Sequence, residues 1–280
     1  MVAQPASLVP DSPLPDSPLP DSPSQPVVVI TGGASGIGAA CARRFAAAGA
    51  RVAVVDRALA AAEAMAGEIG GAAFTADVGD AESLERCAAA VEAELGLVEV
   101  LVTSAGVLQV PARPHDLPLA QWDEVIRIDQ RGTYVSCLAF ARAMLERRRG
   151  AIVNIASITG LRSVPLHAYG PAKAAVIALT ECLAAEWGPA GVRVNAISPG
   201  YTLTPALKAA AERGERDLST LEANAALQRL VEPDEVAHAV AFLASAAASA
   251  ITGINLPVDC GWLVATPWNT YGGLRPPVST

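Results

Sequence analysis

Short apolar runs rich in β-branched residues recur along the chain at Val27 to Thr31, Arg51 to Asp56, Ala73 to Asp77, Val98 to Ser104, Ala151 to Ile155 and Val192 to Ile197, with a last one at Asn255 to Val258. They are continuously apolar rather than alternating, the pattern of strands buried on both faces. The Ala- and Leu-rich stretches between them are long enough for crossover helices. The pattern therefore predicts an α/β fold, a doubly wound, mostly parallel seven-stranded sheet in a single domain with right-handed crossovers. Helix signals agree: Asp80 can cap a helix running to Glu94, Gly49 stops one that reaches Ala46 to Ala48, and Pro233 opens one that runs to Leu243.

Outside this pattern lie three segments. Residues 10–24 repeat Pro-Asp-Ser-Pro, which denies the backbone donors and any helix, so residues 1–25 are expected to be a disordered, Pro-rich leader, a spacer with partner docking as the alternative. The catalytic domain is expected over residues 26–265. A C-terminal tail, residues 266–280, carries Trp268 and Tyr271 among Pro and Gly; it is expected to be too irregular for another helix and to pack on a neighbouring subunit, a frayed end being the alternative. Within the domain, Thr202 to Gln228 mixes charges with small residues and has no long apolar stripe, which makes it a candidate lid.

The chain of 280 residues holds 28 acidic against 20 basic residues, a net charge of −8, and its longest basic run is Arg147 to Arg149, expected as a solvent-facing helix end. No nucleic-acid partner is expected. With 52% hydrophobic and 17% charged residues, global disorder is excluded. The uncharged stretch Ala239 to Val258 is broken by Ser245, Ser249, Thr252, Gly253, Asn255 and Pro257, so it predicts a helix, a turn and a strand rather than a membrane span. Residues 1–25 lack the basic and apolar regions of a secretory signal. Five widely spaced cysteines without metal spacing predict buried free thiols, no metal, and a cytoplasmic location.

Chemistry first enters at Thr31-Gly32-Gly33-Ala34-Ser35-Gly36-Ile37-Gly38, which follows the first strand and opens the first helix. Glycines at 32, 36 and 38 allow a tight turn and close approach of the backbone to a pyrophosphate facing the helix N-terminus, the dinucleotide loop of a Rossmann-like fold. Asp56 ends the second strand, where a carboxylate can accept both adenosine ribose hydroxyls and repels a 2′-phosphate. NAD is therefore the expected cofactor; Arg57 keeps NADP as the alternative. Asp77, with Val78 beside it, is placed to reach the adenine ring, or else serves as a cap or turn residue.

Tyr169-Gly-Pro-Ala-Lys173 sets a phenol and an ammonium four residues apart, on one helix face. A phenol with a pKa of about 10 works as a base near neutrality only when positive charge stabilises the phenolate. A structural Tyr and a solvated Lys are the alternative. Ser157 follows the strand Ala151 to Ile155 and so emerges at the sheet edge where ligands bind, either to hold a substrate oxygen or to cap a turn.

In combination, the glycine loop, Ser157 twelve positions before Tyr169, the Tyr-x-x-x-Lys pair, Asn195 to Gly200 ending Pro199-Gly200, and the late Val258-Asp259-Cys260-Gly261 resemble the short-chain dehydrogenase/reductase family over about residues 26–262. The resemblance implies that Tyr169 exchanges the hydroxyl proton, Ser157 orients the substrate oxygen, and Lys173 binds the nicotinamide ribose and lowers the tyrosine pKa. It further implies cofactor contacts from Gly32, Ser35, Gly36, Ile37, Gly38, Ser104, Ala105, Gly106, Ile155, Pro199, Gly200, Thr202 and Thr204, and a homo-oligomer, tetramer or dimer. Two departures stand out. The family's Asn-Asn-Ala-Gly is Thr103-Ser104-Ala105-Gly106 here, and its catalytic Asn is replaced by Asp129. An ionised Asp accepts but cannot donate, so the proton relay is expected to change.

The expected activity is hydride transfer between NAD and a secondary alcohol or ketone, a polyol or cyclic alcohol above others, with small-molecule partners only. An NADPH-dependent ketone or 3-oxoacyl reductase is one alternative. A non-catalytic NAD-binding regulatory protein is the other.

Overall fold

The computed structural model describes residues 25–275. The expected leader, residues 1–25, lies outside the described residues except for Gln25, and so do residues 276–280 of the tail. Strands β1 (Val27–Thr31), β2 (Arg51–Asp56), β3 (Ala72–Thr75), β4 (Val98–Thr103), β5 (Gly150–Ile155), β6 (Val192–Pro199) and β7 (Asn255–Val258) form one seven-stranded sheet in the order β3-β2-β1-β4-β5-β6-β7. All six pairings are parallel. The winding reverses between β1 and β4, which opens a crevice at the strands' C-terminal ends.

Alternate residues of β1 enter different cores, because successive side chains of a strand point to opposite faces. Val28 and Ile30 pack with Phe45 of α1 (Gly36–Ala47), Met65 of α2 (Leu59–Ile69) and Leu243 of α9 (Pro233–Ala244). Val27 and Val29 pack with Leu84 of α3 (Ala81–Leu95), Phe140 of α5 (Gly132–Glu146) and Leu183 of α6 (Tyr169–Trp187). Asp80 caps α3 by accepting from the Glu82 amide at 3.1 Å. Arg193 on β6 secures the end of α9, donating to the carbonyls of Leu243, Ala244, Ser245 and Ile251.

Several expected boundaries shift. The third strand is Ala72–Thr75 instead of reaching Asp77, because Asp77 turns back to accept from the Gly79 amide at 2.8 Å. The fourth ends at Thr103, and the sixth runs on to Pro199 because β7 pairs with its last residues. The candidate lid contains two short helices, α7 (Pro205–Glu212) and α8 (Leu218–Ala223), started by side-chain caps from Thr204 and Asp217. The tail was expected to hold no further helix; instead α10 (Trp262–Ala265) runs into a 3₁₀ helix at Thr266–Tyr271, since Pro267 sits in the first turn, where its missing N–H costs nothing. Of the cysteines, Cys41, Cys87 and Cys137 are buried, whereas Cys182 is exposed and Cys260 intermediate. Among the described residues no helix is long and apolar enough to cross a membrane.

One segment departs from regular helix. Between α4 (Leu119–Val125) and α5 the chain makes a π-helical turn over Ile126–Arg131, and the buried residues in its middle are Ile128 and Asp129. Such bulges are often found at functional sites, because the extra residue re-aims one side chain.

Candidate active site

Loops that follow the strands' C-terminal ends line two adjoining cavities, of about 420 and 490 Å³. Ile37, Leu108, Ile155, Tyr169, Thr204 and Ala206 border both. Tyr169 therefore stands where the two spaces meet.

The first cavity gathers most of the residues singled out for a dinucleotide. Gly32, Ser35, Gly36 and Ile37 form its β1–α1 corner. Gly32 takes φ +65°, and a Cβ there would lie 2.6 Å from the Ala105 Cα, so the loop closes on the strand-β4 loop only because the side chain is missing. Ser35 stands at the N-cap of α1 without a side-chain cap bond, and the first turn carries no acid. Its amides and helix dipole are thus left for an anion. Gly38 does not line the cavity; it is buried, and an added Cβ would collide with the Gly32 carbonyl. Its place is to let the helix pack under the loop.

At the far end, the Asp56 carboxylate lines the cavity and accepts from the Ala58 amide at 3.1 Å through Oδ1. Asp77 and Val78 line it as well, but the Asp77 carboxylate is engaged, by the Gly79 amide at 2.8 Å and by Arg127 at 3.0 Å. Burial pushes this carboxyl up, and the Gly79 and Arg127 hydrogen bonds outweigh it and hold the pKa low. Arg127 is in turn held by Glu124 at 2.7 and 2.9 Å. Nothing in the sequence flagged that clamp. Ser104, Ala105 and Gly106 complete the wall. Thr103, just before them, is turned away from the cavity: its hydroxyl donates to Asn154 Oδ1 at 2.8 Å, and Asn154 reaches Thr180 on α6 at 3.0 Å.

Tyr169, Lys173, Ser157 and Asp129 come together at the junction. Ser157 caps the short 3₁₀ turn Ile158–Gly160, accepting from the Thr159 amide at 3.2 Å, and lines the second cavity together with Tyr169. Tyr169 opens α6, and Lys173 follows one turn later on the same face. Lys173 is 4% exposed; its Nζ donates to the Ile155 carbonyl at 3.1 Å, lies 3.4 Å from Asp129 Oδ2, and sits 5.5 Å from the Tyr169 ring centre. Asp129 is fully buried, and its Oδ1 accepts from the Val107 amide at 2.8 Å. Among the described residues no group of three or more His, Cys, Asp or Glu side chains is arranged to hold a metal.

These groups set one another's protonation. Burial is the largest influence on Lys173 and pulls its pKa down, yet Asp129 and Tyr169 together outweigh it, so the ammonium is held more firmly than in water. Burial pushes Asp129 up despite Lys173 and the Val107 amide. For Tyr169 burial is the largest influence and raises the phenol; Lys173 and the nearby Ser157 hydroxyl pull it back, and Asp129 adds to the rise. The lowered tyrosine pKa implied by the family resemblance is therefore the direction of the Lys173 contribution, not of the sum within the protein alone.

Pro199, Gly200 and Thr202, singled out as cofactor contacts, line only the second cavity. Gly200 passes the β7 end so closely that a Cβ would lie 2.7 Å from the Asp259 Cα, and the Thr202 hydroxyl donates to the Gly200 carbonyl at 3.0 Å. Thr204 caps α7, accepting from the Leu207 amide at 3.3 Å, and borders both spaces. The second cavity is mostly apolar, walled by Leu108, Val110, Leu166 and Leu207, with Ser157 and Tyr169 on its floor. Gln109 and Tyr201 also line it, and neither is signalled by anything beyond its place in a strand-end loop.

The chain is similar to several known proteins. A family model described as Enoyl-(Acyl carrier protein) reductase matches residues 32–263. The chain is 43% identical over 244 residues to a D-threitol dehydrogenase of Mycolicibacterium smegmatis, covering 85% of this chain and 93% of the relative. It is 40% identical over 245 residues to a cis-4-hydroxycyclohexanecarboxylate dehydrogenase of Sinomonas cyclohexanicum, covering 85% and 97%. A crystal structure named as ribose-5-phosphate isomerase from Brucella melitensis superposes with a TM-score of 0.89 at 53% identity, covering 90% of this chain and 98% of that one.

Because Asp129 and Lys173 are buried together, removing one partner strands the other. Lys173→Met is expected to lower the unfolding free energy at neutral pH by about 3–5 kcal/mol. The deficit should shrink as pH falls through the raised Asp129 pKa, since a neutral carboxyl no longer needs the cation. Urea titrations across a pH series measure both; a deficit that does not change with pH would rule out the stranded carboxylate as its cause.

Proposed function

The chain belongs to the short-chain dehydrogenase/reductase family, and from that premise we propose that it is an NAD-dependent dehydrogenase that oxidises a secondary alcohol of the polyol or cyclic-alcohol class to a ketone. One observation carries the reading: the cavity built for a dinucleotide and the mostly apolar cavity meet at Tyr169, with Ser157 lining the apolar cavity alongside it and Lys173 behind its ring. The two dehydrogenase relatives, named for a polyol and for a cyclic hydroxy acid, support the substrate class.

The residues of the first cavity fit a dinucleotide: a glycine cradle that a Cβ would fill, an open helix start, and Asp56 at the ribose end. Bound nicotinamide supplies the hydride acceptor. In this reading Ser157 donates to the substrate oxygen and holds it against Tyr169. Tyr169, as phenolate, takes the hydroxyl proton while the carbinol C–H bond gives up its hydride, leaving the ketone. Lys173 keeps its positive charge next to the phenolate, secured by Asp129 and the Ile155 carbonyl. Gly32, Ser35, Gly36 and Ile37 take the pyrophosphate, and Ser104, Ala105, Gly106 and Val78 flank the adenosine. A homo-oligomer, dimer or tetramer, belongs to the same reading, with the exposed Val264, Trp268 and Tyr271 as its candidate contact surface. So does a cytoplasmic location, where free thiols stay reduced.

Preference for NAD follows from Asp56, whose carboxylate matches free ribose hydroxyls and repels a 2′-phosphate. We expect kcat/KM with NAD to exceed that with NADP by at least about tenfold, and Asp56→Ala to narrow the gap. Equal use of both by the wild type would sink the assignment.

Tyr169→Phe removes the exchangeable proton and keeps the ring. Turnover should fall about a hundredfold or more while NAD binding, followed by calorimetry, is retained. A panel of polyols, cyclic alcohols and their ketones serves as substrate, with ribose 5-phosphate included because of the Brucella structure's name. Conversion of that sugar with no change in nicotinamide absorbance would replace the dehydrogenase reading with isomerisation. Tight NAD binding without turnover of any member would favour a non-catalytic NAD-binding protein.

Asp129→Asn removes the negative charge that disfavours the Tyr169 phenolate. The base is needed deprotonated for alcohol oxidation, so the rising limb of the pH profile should move to lower pH, with at least about a tenth of the turnover kept. An unmoved profile would reduce Asp129 to a structural residue of the π turn.

A further inference from the structure

In the loop after β4, Gln109 is 3% exposed, and its Oε1 accepts from the Ala168 amide at 2.8 Å and the Tyr169 amide at 3.2 Å, the two that open α6. Two donors on one side fix which end of the side-chain amide faces them: the oxygen must, because a reversed amide would set NH₂ against N–H. The Nε2 is thereby left on the other side, with two protons, buried and without a partner. Gln109 lines the same cavity as Ser157 and Tyr169. Ser157, Thr159, Tyr201, Thr204 and Glu215 also line this cavity, but none of them is hydrogen-bonded to that nitrogen.

Natural proteins rarely leave a buried donor unmet, and at a binding site such a group marks where a ligand oxygen goes. We propose that Gln109 is a substrate-recognition residue, whose Nε2 donates a hydrogen bond to a second oxygen of the substrate, so that the site selects diols, polyols and other oxygenated secondary alcohols over monofunctional ones. This rests on the dehydrogenase reading above. The geometry ties selection to chemistry, because Gln109 is held by the backbone amide of Tyr169 itself. The oxygen that reacts and the oxygen that is recognised are thus referenced to one helix start. Thr159, whose buried hydroxyl also has no partner, lines the same cavity and can complete the polar subsite. A site with a dedicated buried donor rejects the analogue lacking the matching acceptor more strongly than an apolar pocket rejects a missing methylene.

The test compares cyclohexanol with the cyclohexanediols, in kcat/KM with NAD and in binding to the NAD-loaded protein by saturation-transfer NMR. The wild type should favour a diol about ten- to a hundredfold. Gln109→Glu keeps an oxygen for the two α6 amides and exchanges the donor for an acceptor. Its diol-to-monoalcohol ratio should fall to within about twofold of unity, whatever common change the new charge makes to both rates. Gln109→Leu removes both functions, and its melting temperature reports the cost of the unpaired amides separately. A wild type without diol preference, or a Gln109→Glu variant that keeps it, would overturn the proposal. Diol-selective binding that is lost in Gln109→Glu, in a protein that oxidises nothing on the panel, would uphold the subsite and overturn the dehydrogenase reading alone.

Discussion

A charged lysine inside a protein has to be met by oxygens, and Lys173 is met by two elements at once. Its ammonium touches the Ile155 carbonyl at the end of β5 and the Asp129 carboxylate in the π turn before α5, while its own helix starts at Tyr169. Desolvating such a pair costs several kcal/mol per ion, which only good geometry and further hydrogen bonds offset. The Val107 amide supplies one of these at 3 Å or less, and the loop after β4 is drawn into the same cluster. The strand end, the π turn, the β4 loop and α6 are therefore fixed relative to one another by a single buried charge.

That cluster explains why the two cavities meet where they do. Tyr169 is the first residue of α6, Gln109 holds the two amides that open the helix, and Ser157 lines the same cavity from the turn after β5. Each contact comes from a different strand-end loop, so the site exists only because the parallel sheet brings those loops to one edge. The π turn adds a second consequence: it carries Arg127 next to Asp129, and Arg127 clamps Asp77 at the opposite end of the dinucleotide cavity. One irregular turn thus shapes both the reactive end and the adenosine end.

Asp129 and Lys173 also pull Tyr169 in opposite directions. The lysine favours the phenolate and the aspartate disfavours it, with burial on the side of the aspartate. A neutral amide at position 129 would leave the lysine opposed by burial alone but hold its charge less firmly. The chain has accepted a less acidic phenol in exchange for a more securely charged lysine.

Much of this was legible in the sequence. Continuous apolar runs gave the seven strands because a sheet covered on both faces cannot tolerate alternation, and Val27–Thr31, Arg51–Asp56 and Asn255–Val258 matched residue for residue. The glycine loop and the Tyr169–Lys173 spacing were readable because helix and turn geometry are local. What failed was set by contacts between distant parts of the chain. The third strand stops short because Asp77 is turned by Gly79 and held by Arg127, fifty residues on. Which cavity Pro199, Gly200 and Thr202 would line was likewise beyond any local pattern, because β7 and Asp259 fix the path of the chain there. Gln109 gave no signal at all: a glutamine in a loop means nothing until the fold sets its oxygen against the start of a helix and leaves its nitrogen unmatched in the cavity wall. Local sequence determined the elements and the reactive groups, and tertiary structure decided which buried polar atoms are paired and which are left for a ligand, because pairing depends on distances between elements that no local pattern encodes.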